Sequence, residues 1–523
     1  PQFQQPELLN CVEKLLDNHI KEGRGNTICI RTFEETWTYQ DLYEKANQIA
    51  QVLVEDLGLQ SGNRVMLRSA NNPMMVACWF AVLKAGGIIV ATMPLLRAKE
   101  ITTIIDCAEI SHAFCDSDLA EEMNLVQSNF LKKVSFYRNS DLEKLMESKP
   151  KTFDNYPSKY DDVALIGFTS GTTGRPKGVE ITQANYSFAG QVMATAAQLE
   201  SGDRQFVVLP LFHANAQYYS FASAIAVGAS VALMHTFSAT RFLQQAKDHS
   251  VTHASLFAAP IRMILARGGD PVPGLRLKHC WYAMNISIGQ FDTLTNLLGC
   301  KPRQLYGMTE TIPAVLTDCS TTPNPSSMGQ VTPGCEVAIQ TTDHRVAANQ
   351  TIGEVVVRGE KGITLFDGYL DDPMTTNSSF INDWFLTGDR AFCDSNGSFF
   401  FDGRRQDVLK VAGENVSTVE VEMMISSHPQ ILEAVVVGAP DPIRDEVPIA
   451  FAVASDLTNP PAIEELMSWC NERLAKSKRP HSIIMLDELP RTSVGKIRKF
   501  ILKDLAAQHH SQSNSKPTQG AFQ

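Results

Sequence analysis

Short apolar runs alternate with amphipathic stretches along most of the chain. "RVMLRSA" (64–70), "GIIVATMP" (87–94), "HAFCD" (112–116), "QFVVLP" (205–210) and "ASVALM" (229–234) predict buried strands. Residues 39–56 and 239–250 carry helical spacing between them. Such alternation predicts an α/β fold built on largely parallel strands. From Gly353 the pattern becomes "GEVVVRG", "GSFFFDG" and turn-rich spacers, which predicts a small β-rich subdomain. A new module starts after "DGRRQD" (402–407). There "TVEVEMMISSHPQ" and "AIEELMSWCNERLA" predict helices, while "ILEAVVVGAPD", "PIAFAVAS" and "HSIIMLDELP" predict strands. The expected division is a large N-terminal domain over 1–403, a small α+β C-terminal domain over 404–508 and a disordered tail over 509–523.

The longest apolar stretch, "MVACWFAVLKAGGIIVATMPLL" (75–96), is interrupted by Lys84 and split by Gly86-Gly87. A buried helix, a glycine break and a buried strand account for it better than a membrane span. At 523 residues the chain is too long for one ordinary core, and 44% hydrophobic with 20% charged residues describes a globular protein. A net charge of −11 argues against a nucleic-acid partner. It leaves room for a small anion in a locally basic pocket. The 11 cysteines form no C-x-x-C pair and no zinc spacing, and the opening Pro1-Gln2-Phe3-Gln4-Gln5 has no signal-peptide pattern. Both point to reduced thiols and a cytoplasmic setting.

"FTSGTTGRPKG" (168–178) cannot fill a core. Its glycines let backbone N–H groups converge, its hydroxyls add donors, and Arg175 and Lys177 add positive charge. Donors and cations without a carboxylate make an anion cradle, most plausibly for phosphate. The spacing fits neither the P-loop pattern nor a dinucleotide glycine fingerprint. Taken alone, the stretch also fits a polar surface turn.

Five further stretches change that. They are "LPLFHANAQ" (209–217), "LYGMTET" (305–311), "WFLTGDR" (384–390), "DGRRQDVLKVAGENVSTVEVE" (402–422) and "LPRTSVGKIRK" (489–499). Singly, each has a structural explanation: Asp389 as a cap, His213 as a satisfied histidine, Lys496 as a solvated loop lysine. In this order and at these separations they resemble the adenylate-forming superfamily. That group holds acyl-CoA synthetases, aryl-CoA ligases, luciferases and carrier-protein adenylation domains. The resemblance runs from Trp37-Thr38-Tyr39 to Lys499. Within the family, "WYAMNIS" (281–287), "SFAG" (187–190) and "DPIRDE" (441–446) are most similar to carnitine/crotonobetaine-type CoA ligases. "KAGGIIVATMPLLRAKE" (84–100) is similar to benzoate-type ligases.

The resemblance implies a mobile C-terminal domain and two half-reactions. A carboxylate attacks the α-phosphorus of ATP, and a thiol then attacks the acyl-adenylate. Lys496, Thr309 and Glu310 are the implied catalytic residues, Glu310 also holding Mg2+. The loop Thr169, Ser170, Gly171, Thr172, Thr173, Gly174 and Lys177 receives pyrophosphate. Tyr306, Gly307, Met284 and Asn285 border the nucleotide, and Asp389 and Arg404 hold the ribose. The acid pocket falls to His213, Ala214, Asn215, Gln217, Trp281 and Met308. Gln406 is the implied hinge, where relatives usually carry Asp or Lys, and Gly413, Glu414 and Asn415 form the thiol-side face. Relatives that activate α-amino acids place an Asp where His213 stands, which weighs against an amino-acid substrate. The expected substrate is a small polar, betaine-like or aromatic acid with CoA as thiol. The alternative is a stand-alone enzyme loading a small amino acid onto a carrier-protein phosphopantetheine.

Overall fold

The computed structural model describes residues 5–514 except 171–175, 405–406, 412–413, 442–443 and 493–495. Among the described residues the strands form four sheets. In the nine-stranded sheet, Arg303–Tyr306, His279–Tyr282, His253–Ser255, Arg204–Val207, Ser230–Leu233 and Ile28–Arg31 run parallel in that order. Because they share one direction, their carboxyl ends open at one edge. That edge is where ligands bind in open α/β sheets.

The seven-stranded sheet sets Ile88–Thr92, Arg64–Arg68, His112–Asp116 and Lys133–Tyr137 parallel. Val163–Ser170 and Pro176–Thr182 extend it as an antiparallel hairpin, with Thr169 opposite Lys177. The described ends of the glycine- and threonine-rich stretch thus lie on paired strands. The helix Pro73–Lys84 begins where Asn72 Oδ1 accepts the Met75 N–H at 2.8 Å and Pro73 takes the first helical position. Gly86, at φ +76°, turns the chain into the strand Ile88–Thr92. The apolar stretch 75–96 is thus helix, turn and strand. No helix among the described residues is long and apolar enough to cross a membrane.

Antiparallel strands Glu336–Gln340, Gly353–Arg358, Trp384–Cys393 and Phe399–Arg404 make the β-rich unit. Asp389 lies mid-strand there, in register with Arg404. One continuous core gathers buried side chains from Cys11 to Phe399, whereas residues 409–506 form cores of their own. The paired strands Ile431–Asp441 and Asp445–Ala454 carry that last unit. Its closing helix, Lys499–Asn514, corrects the expectation of a disordered tail from 509. His510 is buried, with Nε2 3.0 Å from Asp441 Oδ2, which ties down a polar segment that composition alone reads as disordered.

Lys84 shows how the core tolerates a charge. Its fully buried ammonium lies 2.7 Å from Asp17 Oδ1 and 3.1 Å from Asn155 Oδ1, and Asn155 Nδ2 donates to Asp17 Oδ2 at 2.6 Å. Lys84→Met removes one partner and leaves a desolvated carboxylate, a loss of about 3–5 kcal/mol. The urea midpoint of the N-terminal part should fall accordingly. An unchanged midpoint would show that Asp17 is not held as a charge.

Candidate active site

At the open edge of the nine-stranded sheet, the turn after Arg303–Tyr306 carries Gly307, Met308, Thr309 and Glu310. Thr311 closes this turn, its Oγ1 accepting the Met308 N–H at 3.0 Å. Beside it lies a cavity of about 240 Å³ bordered by Met284, Asn285, Tyr306, Gly307, Asp389 and Arg404. Gln304 Nε2 donates to the Met284 carbonyl at 2.8 Å and fixes that wall.

Asp389 is buried, and Tyr306 donates its hydroxyl to Oδ2 at 2.7 Å. Arg404 Nε lies 3.1 Å from Oδ1, yet Oδ1 has no aligned hydrogen-bond donor. Burial raises the Asp389 pKa, and Arg404 and Tyr306 pull it back. A buried carboxylate oxygen short of a donor suits a ligand hydroxyl.

Glu310 is also buried, and its Oε1 accepts the Tyr369 hydroxyl at 3.0 Å. The Lys177 ammonium sits 5.1 Å from the centre of the Tyr369 ring. Tyr369 thus joins the turn to the hairpin of the phosphate-loop sequence, a role that no sequence motif marked. Thr309 packs on the same hairpin, its Cγ2 3.2 Å from where a Cβ on Gly167 would stand. Glu310 offers one carboxylate to a metal. Among the described residues no group of three or more His, Cys, Asp or Glu assembles to hold one. One carboxylate suits a hard cation such as Mg2+, which draws its other ligands from phosphate and water.

Lys496 comes from the C-terminal unit. Its hairpin closes with Thr492 N–H on the Lys496 carbonyl at 2.7 Å and an antiparallel bridge between Arg491 and Ile497. The residue is exposed, but its ammonium reaches the cleft. There desolvation and Arg404 lower its pKa and Glu310 raises it. Its charge is felt at His213, whose pKa burial, and then Lys496, push down to about 4. Lys496 thus lies near enough to Arg404, Glu310 and His213 for their charges to act on one another.

His213 follows the strand Arg204–Val207, and its Nε2 is buried without a partner. Phe212 and Phe257 flank its ring, with centroids at 4.8 and 6.0 Å. Ala214 precedes the π-helix Asn215–Ala222. Asn215 Oδ1 accepts the Ser255 hydroxyl at 2.8 Å. Ser255 pairs with Trp281 across parallel strands, so both project from one sheet face. Gln217 is turned to the helix Gln183–Ala197, where its Oε1 accepts the Tyr186 hydroxyl at 2.6 Å. That oxygen braces the π-helix. Phe257 and Tyr219 escaped sequence reading, since each is an ordinary aromatic in an apolar context. Gly171, Thr172, Thr173, Gly174, Gln406 and Gly413 lie outside the described residues, and only the backbones of Ser170, Glu414 and Asn415 are described.

These features define an adenylate-forming architecture. Residues 16–370 match the AMP-binding enzyme family, and 420–496 match the AMP-binding enzyme C-terminal domain. The chain belongs to that family and is an AMP-forming acid–thiol ligase. It is 32% identical over 485 residues to a crotonobetaine/carnitine–CoA ligase of Salmonella paratyphi C (strain RKS4594), covering 89% of this chain and 93% of the relative. It superposes on the anthranilate CoA ligase AuaEII in complex with anthranoyl-AMP with TM-score 0.89 and 25% identity, covering 97% and 99% of the two chains. ATP-bound MatB from Rhodopseudomonas palustris shares the fold, with TM-score 0.88, 23% identity and coverage of 96% and 100%.

Gly307 shows how tightly the turn is built. A Cβ there would stand 2.7 Å from the Tyr219 hydroxyl oxygen and 3.0 Å from Ala314 Cα. Gly307→Ala should therefore lose about 1–3 kcal/mol by overpacking. Adding Tyr219→Phe should restore part of it, because the phenol oxygen is the nearer obstacle. Equal urea midpoints for Gly307→Ala and the native chain would show that the turn yields freely.

Proposed function

We propose that the protein activates a small carboxylic acid without a free α-amine and passes the acyl group to CoA. The acid is polar, betaine-like or aromatic, and the observation that carries the reading is His213. With its pKa near 4, it is neutral at working pH and offers no anion to an α-ammonium group. Phe212 and Phe257 flank it with ring faces that suit an aryl group or a quaternary ammonium. The naming of the Salmonella relative and of AuaEII as CoA ligases supports CoA over a carrier protein.

In the first half-reaction an acid oxygen bonds to the α-phosphorus of ATP as the bond to pyrophosphate breaks. Two anions must meet, so the site has to neutralise charge without protonating the nucleophile. The Lys496 ammonium does this by bonding both the carboxylate and the α-phosphate. Thr309 donates to the α-phosphate. The loop from Thr169 to Lys177 takes the departing pyrophosphate, and Glu310 would hold Mg2+, which would supply neutralisation of phosphate charge. Asp389 Oδ1 accepts from a ribose hydroxyl, with Arg404 alongside. Adenine lies along Met284 and Asn285. In the second half-reaction the CoA sulfur bonds to the acyl carbon, AMP leaves, and the thiol proton passes to solvent. The C-terminal unit turns about Gln406 between the two, withdrawing Lys496 and presenting Gly413, Glu414 and Asn415.

Lys496→Ala should lower acid-dependent ATP–pyrophosphate exchange by ~10²–10³, the usual cost of one transition-state charge contact. Thioester formation from supplied acyl-adenylate and CoA should be nearly unchanged. Equal loss in both half-reactions would refute the assignment.

Across a panel of glycine, β-alanine, propionate, benzoate and crotonobetaine, acids lacking an α-amine should exchange at least ~10-fold faster than glycine. That is about 1.4 kcal/mol, a modest demand for one absent charge-assisted contact. His213→Asp should narrow the gap. Glycine outrunning every amine-free acid would favour a carrier-loading enzyme instead.

A further inference from the structure

The Lys496 hairpin does not rest on the C-terminal unit alone. Glu433, on the strand Ile431–Asp441, is buried, and two arginines share its Oε2. One is Arg491, at the base of the Lys496 hairpin and bridged to Ile497. The other is Arg262, on the helix Ala258–Arg267 of the N-terminal part, with Nε at 3.1 Å. Nearby, Gln290 Nε2 donates to the Leu432 carbonyl at 3.2 Å across the same boundary.

We propose that Arg262 is a positioning residue for adenylation: through Glu433 and Arg491 it fixes the hairpin that holds Lys496 in the cleft. The proposal rests on the assignment of Lys496 to the first half-reaction. The contacts divide by origin. Glu433 and Arg491 belong to one rigid unit and keep their contact in any orientation of it. Arg262 belongs to the other part, so its contact exists only while Lys496 faces Glu310 and Arg404. Both charged partners are largely withdrawn from water, which makes a missing partner costly and the contact directional. A surface pair would have neither property. The pair Lys499–Asp407, at 2.8 Å, lies wholly within the C-terminal unit and does not discriminate between orientations.

The test uses the full-length protein, ATP, labelled pyrophosphate and the fastest acid of the panel above. Arg262→Gln should lower the kcat of exchange by at least ~10-fold, since small misplacements of a catalytic group carry penalties of that order. The KM values for ATP and acid should move less than about 2-fold, because no substrate contact is removed. Thioester formation from supplied acyl-adenylate should keep its rate or rise. Arg262→Lys should recover part of the exchange rate. In a Lys496→Ala background, Arg262→Gln should have almost no further effect, because two residues acting through one group are not additive.

A loss shared equally by both half-reactions would overturn the proposal in favour of general destabilisation. So would a full additional loss in the Lys496→Ala background. Should Arg262→Gln fold poorly, Glu433→Gln with the same readouts decides the matter, since it breaks the link at its centre. If Lys496→Ala itself leaves exchange intact, the half-reaction assignment fails, and the failure is distinguishable from that of Arg262.

Discussion

One ammonium group has to be delivered across a domain boundary, and the arrangement of the cleft depends on it. Lys496 sits on a hairpin whose core lies in residues 409–506, while Thr309 and Glu310 lie between Met308 and Ile312, which pack in the larger core. Arg404 disfavours the charge on Lys496 and Glu310 favours it. In water such contacts are worth about 1 kcal/mol at 4 Å, and several times more in a partly dry cleft. The geometry therefore does most of its electrostatic work after the halves meet. Tyr369 joins this side of the cleft to Lys177, whose ammonium lies 5.1 Å from its ring centre, while its hydroxyl donates to Glu310.

The acid pocket and the boundary are linked by one helix. Ala258–Arg267 begins beside Phe257, whose ring faces His213, and carries Arg262 one turn later. The side chain against His213 and the one paired with Glu433 thus share one element. Lys496 also helps keep His213 neutral. On the reading proposed above, an acid carboxylate there would meet one permanent cation and one neutral imidazole, which would stabilise its negative charge without offering it an acidic proton.

Much of this was legible in the residue pattern. The strands at 64–70, 112–116 and 431–441 came from apolar runs that burial on both faces requires, and the helix–turn–strand at 75–96 came from Lys84 and the paired glycines. The chemistry was legible where several polar residues cluster in short motifs, as at 305–311. Long-range partnerships were not. Tyr369 reaches Glu310 across 59 positions, and Glu433 meets Arg262 across a domain boundary. Each is a common residue in an unmarked context, chosen by three-dimensional proximity. Local composition likewise misses the helix over 509–514, where His510 is buried against Asp441 and the His481 ring.

Unpartnered buried atoms sharpen the reading of the cleft only where they converge. A buried polar group without a partner costs about 1–3 kcal/mol, and folded chains keep few of them. This chain has some far from the cleft, among them both ring nitrogens of His249 and His279, so an orphaned atom alone marks nothing. At Lys84 and Asp17 the opposite holds, with three polar side chains satisfying one another inside the core. The cleft differs from both. Asp389 Oδ1, mid-strand, lacks an aligned donor, and His213 Nε2, beyond the strand Arg204–Val207, lacks any partner. One is a bare acceptor beside an arginine, the other a neutral ring near an ammonium. In the proposed reading the acceptor beside Arg404 takes the ribose hydroxyls and the neutral ring borders the acyl part, so the two chemistries answer the two parts of an acyl-adenylate.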